Sequence, residues 1–377
     1  MPPTADRIQL VVLFGGRSAE HEVSCVTAVS VLKALDPSRY DVIPIGITSE
    51  GAWVLAEKAQ ELMATGGAAA LPAALEARGR ALQPFQALGP ERPSERSRGP
   101  GPAGPLVVLP LLHGPFGEDG TVQGLCELAD VPYVGAGVLG SAVAMDKLTT
   151  KRLLSEAGLP SPRYFGLREH EVDETVARRA AAELGWPVFV KPSNLGSSVG
   201  VTKAANPDEL LLSLQEALRY DEWIVIEEAV VGREIECGVL GDLEPEASLP
   251  GEVRPSRDFY DYADKYLEGK ADLLVPAPLP EAVTEEVRQL SLSAFAAVRA
   301  EGMARVDFFY EEEGRGLLIN EVNTIPGFTP ISMYPRMWEA SGVAYPALLD
   351  RLVQVALDRH ARRQGRMGRA RGAPPGR

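Results

Sequence analysis

GMARVDFFYEEEGRGLLINEVNTIPGFTPISMYP, residues 302–335, decides how the rest of the chain is read. Two apolar runs, RVDFFY and LLINEVN, flank a charged, glycine-containing turn and read as adjacent strands. Asp307 lies between Val306 and Phe308, inside the first run, where an acid is costly unless it is paired or bound to metal. Glu321 and Asn323 are two apart on the second run and so share one face of that strand. Two carboxylates and an amide oxygen suit a hard cation such as Mg²⁺. Arg305 stands two residues before Asp307, and a metal with a nearby arginine is what phosphoryl transfer needs. The stretch therefore points to an ATP-dependent enzyme. For any one of these residues taken alone, a solvated hairpin face is an equally good reading.

The bulk numbers are those of an ordinary soluble chain. At 377 residues it should hold two or three domains. A formal charge of −14 argues against nucleic-acid binding. Seven arginines and no acid between Arg359 and Arg377, mixed with Gly and Pro, read as a disordered, solvated basic tail. Cys25, Cys126 and Cys237 lie far apart, without a CxxC, as in a reducing compartment. No run approaches a membrane span and the first residues lack a signal-peptide pattern, so the cytoplasm is expected, with no membrane partner.

IQLVVLF (residues 8–14) reads as a buried strand, followed by a helix with Val23, Val26, Val29 and Leu32 on one side and by a strand DVIPIGI (residues 41–47). This βαβ opening predicts a parallel sheet. Residues 55–82 are Ala-rich and weakly helical, and residues 84–105, with six prolines and four glycines, read as a flexible surface insertion. PLVVLPLL (residues 105–112) is a further strand. Residues 135–145 turn small and loop-like and mark a domain boundary. The predicted division is 1–138, 139–231 and 232–360, with a basic tail at 361–377.

Six segments carry candidate chemistry, and each also admits a plainer reading. The metal stretch is the first. KPSNLGSSVG (residues 191–200) puts Lys191 at a strand end before a Gly/Ser loop, which can fold over phosphates or be a plain turn. IEEAVVGREIE (residues 226–236) ends a strand in two acids, with Glu234 beyond the Gly turn; it can hold adenine and ribose or simply be a solvated edge. GGRSAEHEVS (residues 15–24) leaves the first strand at its C-terminal end, where open α/β sheets bind ligands. There Glu20 can hold an ammonium group, while Ser18 can cap the following helix and Glu22 favour its dipole. HGPFGEDG (residues 113–120) offers His113 as a polar contact or proton carrier, though a lone histidine is more often structural. FYDYADKY (residues 259–266) reads as an ordered loop from which Lys265 and Tyr266 can close over a site.

Together and in this order, with MDK at residues 145–147, these motifs resemble the D-alanine–D-alanine ligases of the ATP-grasp superfamily over about residues 8–358. The resemblance implies an α/β, three-domain ATP-grasp ligase. Its N-terminal parallel-sheet domain would be Rossmann-like (preATP-grasp), and two α+β lobes would clasp ATP. It implies a cytoplasmic homodimer that joins two D-alanines through D-alanyl phosphate, releasing ADP and phosphate, for peptidoglycan precursors, cell-wall biogenesis and cell shape. Lys147 and Lys191 then match phosphate contacts, and Ser197 and Ser198 the covering loop. Glu227, Glu228, Val230, Glu234 and Lys265 match ATP contacts. Asp307, Glu321 and Asn323 match the ligands of two Mg²⁺ (or Mn²⁺) ions, with Glu321 bridging. Glu20 matches the holder of the first ammonium group, with His113 nearby. Arg305 and the Gly327 N–H match the oxyanion pair, and Ser332 a contact to the second carboxylate. Tyr266 matches a tyrosine that bonds towards Ser197 and Glu20. Rival readings are a D-lactate or D-serine ligase, against which Tyr266 counts in the case of D-lactate, and a non-catalytic ATP-binding regulator.

Overall fold

The structure, a computed structural model, describes residues 7–88, 104–254 and 272–366. Three sheets organise it. In the first, β1 (Ile8–Gly15) lies between β2 (Tyr40–Ile47) and β5 (Leu106–Pro110) and is parallel to both. The expected parallel opening is thus present, and strand residues Leu10 to Phe14 are wholly buried. Two short antiparallel strands not foreseen from the sequence, β3 (Trp53–Leu55) and β4 (Arg80–Leu82), extend the edge beyond β2. The Ala-rich stretch supplies α2 (Glu57–Gly66) before it reaches β4.

A four-stranded antiparallel sheet orders β6 (Tyr164–Arg168), β9 (Trp223–Glu228), β7 (Val188–Pro192) and β8 (Thr202–Ala204). Val188 and Val190 point into a core with α7 (Val176–Glu183) and α8 (Pro207–Ala217), so Phe189 and Lys191 face the other way, towards the cleft. Asn206 caps α8, accepting from the Glu209 N–H at 3.0 Å, with Pro207 at the first helical position.

The third sheet is antiparallel: β13 (Asp272–Leu274), β12 (Gly251–Arg254), β10 (Arg233–Gly241), β14 (Gly302–Glu311) and β15 (Gly316–Asn323), with β11 (Glu246–Ala247) on β10. Helix α9 (Glu281–Ala297) packs on it. The other side shares one apolar core with the first sheet through α1 (His21–Ala34), α10 (Met333–Ala340) and α11 (Tyr345–Gln364). Arg359 of α11 is buried and donates to the carbonyls of Tyr133 (2.7 Å) and Gly135 (2.5 Å), tying the last helix to the end of the first region.

Several expectations need correction. Residues 84–88 form a short helix, α3 (Pro84–Leu88), whose Ala87 and Leu88 are buried in the first sheet's core; that part of the insertion is not surface loop. Residues 89–103 lie outside the described part. After α4 (Thr121–Ala129), the small residues before Met145 form α5 (Val138–Met145), not a loop; only the segment between the two helices is irregular. The basic tail does not begin as a disordered appendage, because α11 continues to Gln364 and its arginines are paired: Arg363 with Glu301 and Glu127, and Arg362 with Asp242. In α1 the buried face is Ser24, Cys25, Thr27, Ala28, Val29, Val31 and Leu32; Val23 and Val26 turn instead to a cavity. Ser18 does not cap α1. Its Oγ accepts from the Glu20 N–H (3.3 Å), and Glu20 holds the cap position without its side chain capping the helix.

Candidate active site

A cavity of about 740 Å³ opens where the C-terminal ends of β1 and β5 meet β15, the β7–β8 loop and the start of α10. Its floor is set by local geometry. Ser24 Oγ accepts from the Gly15 N–H (2.8 Å) and donates to the Leu111 carbonyl, locking the two strand ends together. Gly15 has φ +86°, and a Cβ there would lie 2.3 Å from the Ile47 carbonyl oxygen, so only glycine turns the chain at this point.

One end of the cleft is anionic. Asp307 of β14 faces Glu321 of β15 in register, and Arg305 faces Asn323. A bulge after Asp307 leaves Asn320 without an opposite partner and brings it beside Glu321 on the cleft side. Arg305 grips Asp307 with two bonds of 2.7 Å, from Nε and Nη2, and its Nε also meets Glu236 of β10 at 3.1 Å. Burial alone would lower the arginine's pKa, but Asp307 and Glu236 outweigh it and hold the group charged. Asn323 Nδ2 donates to Asp307 Oδ2 at 2.9 Å. Three carboxylates around one guanidinium leave an anionic excess, and the donors are all oxygens. That set fits a hard divalent cation held by Asp307, Glu321 and the amide oxygen of Asn323.

The facing end is cationic. Lys191 Nζ donates to Glu227 Oε1 at 2.6 Å and approaches Asn320 Oδ1 at 3.5 Å, so it spans from the middle sheet to the third. Lys151, on α6 (Lys147–Glu156), is only 1% exposed and pairs with the other oxygen of Glu227. Burial pushes the Glu227 pKa up, but the two ammonium groups win and keep it ionised. Lys147 starts the same helix and donates to the Leu195 carbonyl of the β7–β8 loop. In that loop Ser197 and Ser198 have φ of +53° and +56°. Two successive non-glycine residues in the left-handed region are strained, and such strain concentrates where a loop must present its backbone to a ligand.

The third part of the cleft is formed by α1, the segment after β5 and α10. Glu20, His113, Gly327 and Ser332 line it with Arg305 and Glu321. His113 Nδ1 lies 3.1 Å from the Ile325 carbonyl, leaving Nε2 as the ring's other site. Ser332 is the N-cap of α10, with its Oγ 2.8 Å from Thr329 Oγ1 and next to Gly327.

Against known proteins, the family model described as D-ala D-ala ligase N-terminus matches residues 9–136, and that described as D-ala D-ala ligase C-terminus matches residues 153–354. The chain belongs to the D-alanine–D-alanine ligase family. It is 46% identical over 365 residues to the D-alanine–D-alanine ligase of Geobacillus kaustophilus, covering 94% of this chain and 95% of that protein. It is 50% identical over 373 residues to that of Mycolicibacterium gilvum, covering 94% and 98%. Among solved structures, the D-alanine-D-alanine ligase from Coxiella burnetii matches with TM-score 0.77 and 36% identity over 95% of this chain and 97% of that one. The VanG D-Ala:D-Ser ligase from Enterococcus faecalis matches with TM-score 0.78 and 32% identity over 93% and 99%. These neighbours place the chain in the three-domain ATP-grasp fold.

Within this ligase family member, Glu20, His113, Lys147, Ser197, Arg305, Glu321, Asn323, Gly327 and Ser332 line one cavity. Asp307 stands behind Arg305 and Asn323, and Lys191 joins through Asn320. Glu228 is engaged elsewhere: it accepts from Arg163 N and Nε (both 2.7 Å) and from Arg315 on the β14–β15 turn, a clamp between the second and third sheets. Glu234 stands on β10, two residues from Glu236 on the same face, and Val230 is part-buried just beyond β9. Lys265 and Tyr266 lie outside the described residues.

Four contributors were not singled out from the sequence: Lys151, Glu118, Glu236 and Asn320. Glu118 was in view inside HGPFGEDG. Its Oε1 accepts from the Gly114 N–H at 2.7 Å and its carboxyl lines the cavity. Burial, then the Glu20 carboxylate, push its pKa from 4.5 up to about 8.

Proposed function

We propose that the chain is an ATP-dependent ligase that joins two D-alanines into D-alanyl-D-alanine for peptidoglycan precursors. It would work in the cytoplasm as a homodimer, with Mg²⁺ or Mn²⁺. The observation that carries this reading is one cavity in which a cationic end, an anionic end and an amino-acid end adjoin. Lys147, Lys191 and the Ser197–Ser198 loop take the phosphates. Since the Glu227 and Glu228 carboxylates are bound to cations, adenine contacts at that strand end fall to backbone groups, Val230 and Glu234. A divalent cation on Asp307, Glu321 and Asn323 would neutralise phosphate charge during transfer.

Glu20 holds the ammonium of the first D-alanine, beside His113. Its carboxylate oxygen attacks the γ-phosphorus as the bond to ADP breaks, giving D-alanyl phosphate. The neutral amine of the second D-alanine then attacks the acyl carbon. Arg305 and the Gly327 N–H receive the charge that develops on the carbonyl oxygen. Asp307 takes the guanidinium's Nε and Nη2, and Glu236 meets its Nε, which fixes the orientation of the group. The carbon–oxygen bond to phosphate breaks, the amine loses its proton and the peptide remains. Ser332 and the N-terminus of α10 receive the second carboxylate. Lys265 and Tyr266 would close the site against hydrolysis of the acyl phosphate.

The test is phosphate release with MgATP and D-alanine alone, and with D-serine or D-lactate added as second substrate. D-alanine-dependent release with D-alanyl-D-alanine as the main product is expected. Release that ignores D-alanine would exclude a ligase, and preferential formation of the D-serine or D-lactate product would change the second substrate.

A further inference from the structure

Lys151 is an ammonium group with no evident use in the reaction. It projects from α6 beneath the second sheet, is 1% exposed, pairs with the Glu227 carboxylate and lies 5.5 Å from the centre of the Tyr164 ring. It does not line the cavity. A buried ion pair of this kind contributes little stability that two apolar side chains could not match. Its peculiarity is that Glu227 is shared. One carboxylate oxygen faces Lys151 and the other faces Lys191 at 2.6 Å.

Sheet register explains the sharing. Phe189 of β7 stands opposite Glu227 of β9, so Lys191, two residues on, is its diagonal neighbour on the same face. Lys191 is therefore held back by Glu227 while it waits at the cleft. To bind a phosphate it must loosen that bond. If Lys191 were the sole partner, its departure would leave a buried carboxylate with no counter-charge, which is strongly unfavourable. With Lys151 fixed below, the carboxylate stays paired when Lys191 leaves.

We propose that Lys151 is a positioning residue for nucleotide binding: it holds the charge of Glu227 so that Lys191 can exchange that carboxylate for a nucleotide phosphate. This rests on the reading of Lys191 as a phosphate contact. The pair Lys151–Glu227 then acts as a neutral base on which Lys191 is parked, and Lys151 influences ATP without touching it.

The test is calorimetric titration of the full chain with MgATP in the absence of D-alanine, together with steady-state kinetics. Lys151→Met should weaken ATP binding by about tenfold or more, the scale of one charged hydrogen bond withheld. The KM for D-alanine should stay unchanged. In Lys151→Met/Glu227→Gln no charge remains to detain Lys191, so ATP affinity should return to within about threefold of the parent, close to the usual error of additivity. Removing a lysine that merely supports the fold would weaken ATP and D-alanine binding alike, so the unchanged KM for D-alanine is what separates the two roles. Parent-like ATP binding by Lys151→Met, or a double variant as weak as the single, overturns the proposal. If Lys151→Met does not fold, the double variant, which strands no charge, still decides on the same threshold. Lys191→Met is the control. Unchanged ATP affinity there would sink the phosphate assignment of Lys191 itself, whereas a weakened Lys191→Met beside a parent-like Lys151→Met would sink only the role of Lys151.

Discussion

The two charged ends of the cleft are built alike and charged oppositely. At one, two lysines share Glu227, leaving a positive charge in excess. At the other, Glu236, Asp307 and Glu321 surround Arg305, leaving negative charge in excess. Lys191 and Asn320 meet between them at 3.5 Å. Each end is only partly neutralised from within, and the two shortfalls are complementary to a polyphosphate and to its divalent cation. A cleft that balanced both internally would be more stable and would have less to offer a ligand. The difference teaches where substitutions should act: on the metal and chemistry at the anionic end, on nucleotide affinity at the cationic end.

The largest expected effect is at the anionic end. Glu321→Gln should reduce kcat by well over the 10–100-fold typical of altering a metal's outer partners, with far-ultraviolet circular dichroism unchanged. Parent-like turnover would break the assignment of that end to metal. Arg305→Lys keeps a charge but loses the fork that grips Asp307, and should lower kcat by about 10²–10³, as for a lost oxyanion donor. A change confined to the KM for ATP would instead make Arg305 part of the nucleotide end. Ser332→Ala should have a smaller effect, raising the KM for the second D-alanine a few-fold, of the order of one hydrogen bond, without moving the KM for ATP. That separates the amino-acid end from both charged ones.

The smallest effect sharpens the boundary between the ends. Glu118 is crowded by burial and by Glu20, so in the nucleotide-free enzyme it keeps a proton up to about pH 8, whereas it ionises near 4.5 when unfolded. The folded state therefore binds the extra proton, and this stabilising contribution, full below about pH 4.5, is lost as pH rises to about 8. Glu118→Gln should remove that loss. Its melting temperature relative to the parent should climb between pH 5 and 8, and a flat difference across that range would contradict the crowding.

What was legible in the sequence follows strand alternation and local motif order. Asp307, Glu321 and Asn323 could be placed together because two adjacent strands with period-two patterning leave little freedom. The opening parallel strands were legible for the same reason, as continuous apolar runs. Lys151 was not, because a lysine four residues after Lys147 on a short helix looks like any solvated one; only the packing of α6 under β9 buries it. Asn320 was hidden by the bulge, which shifts its face relative to a regular strand. The helical stripe of α1 was misphased because Val23 and Val26 serve the cavity and not the core. The arginines of the tail misled since their partners, Glu301, Glu127 and Asp242, are far away in the chain.

The central claim is that the first D-alanine's carboxylate attacks ATP before any peptide forms. Turnover with D-alanine carrying ¹⁸O in its carboxylate, followed by mass spectrometry of the released phosphate, tests it directly. The account predicts one ¹⁸O atom in each phosphate, carried over when the acyl–oxygen bond breaks. Phosphate without ¹⁸O, its one new oxygen taken from solvent, would mean that ATP is hydrolysed by water and that no D-alanyl phosphate lies on the path.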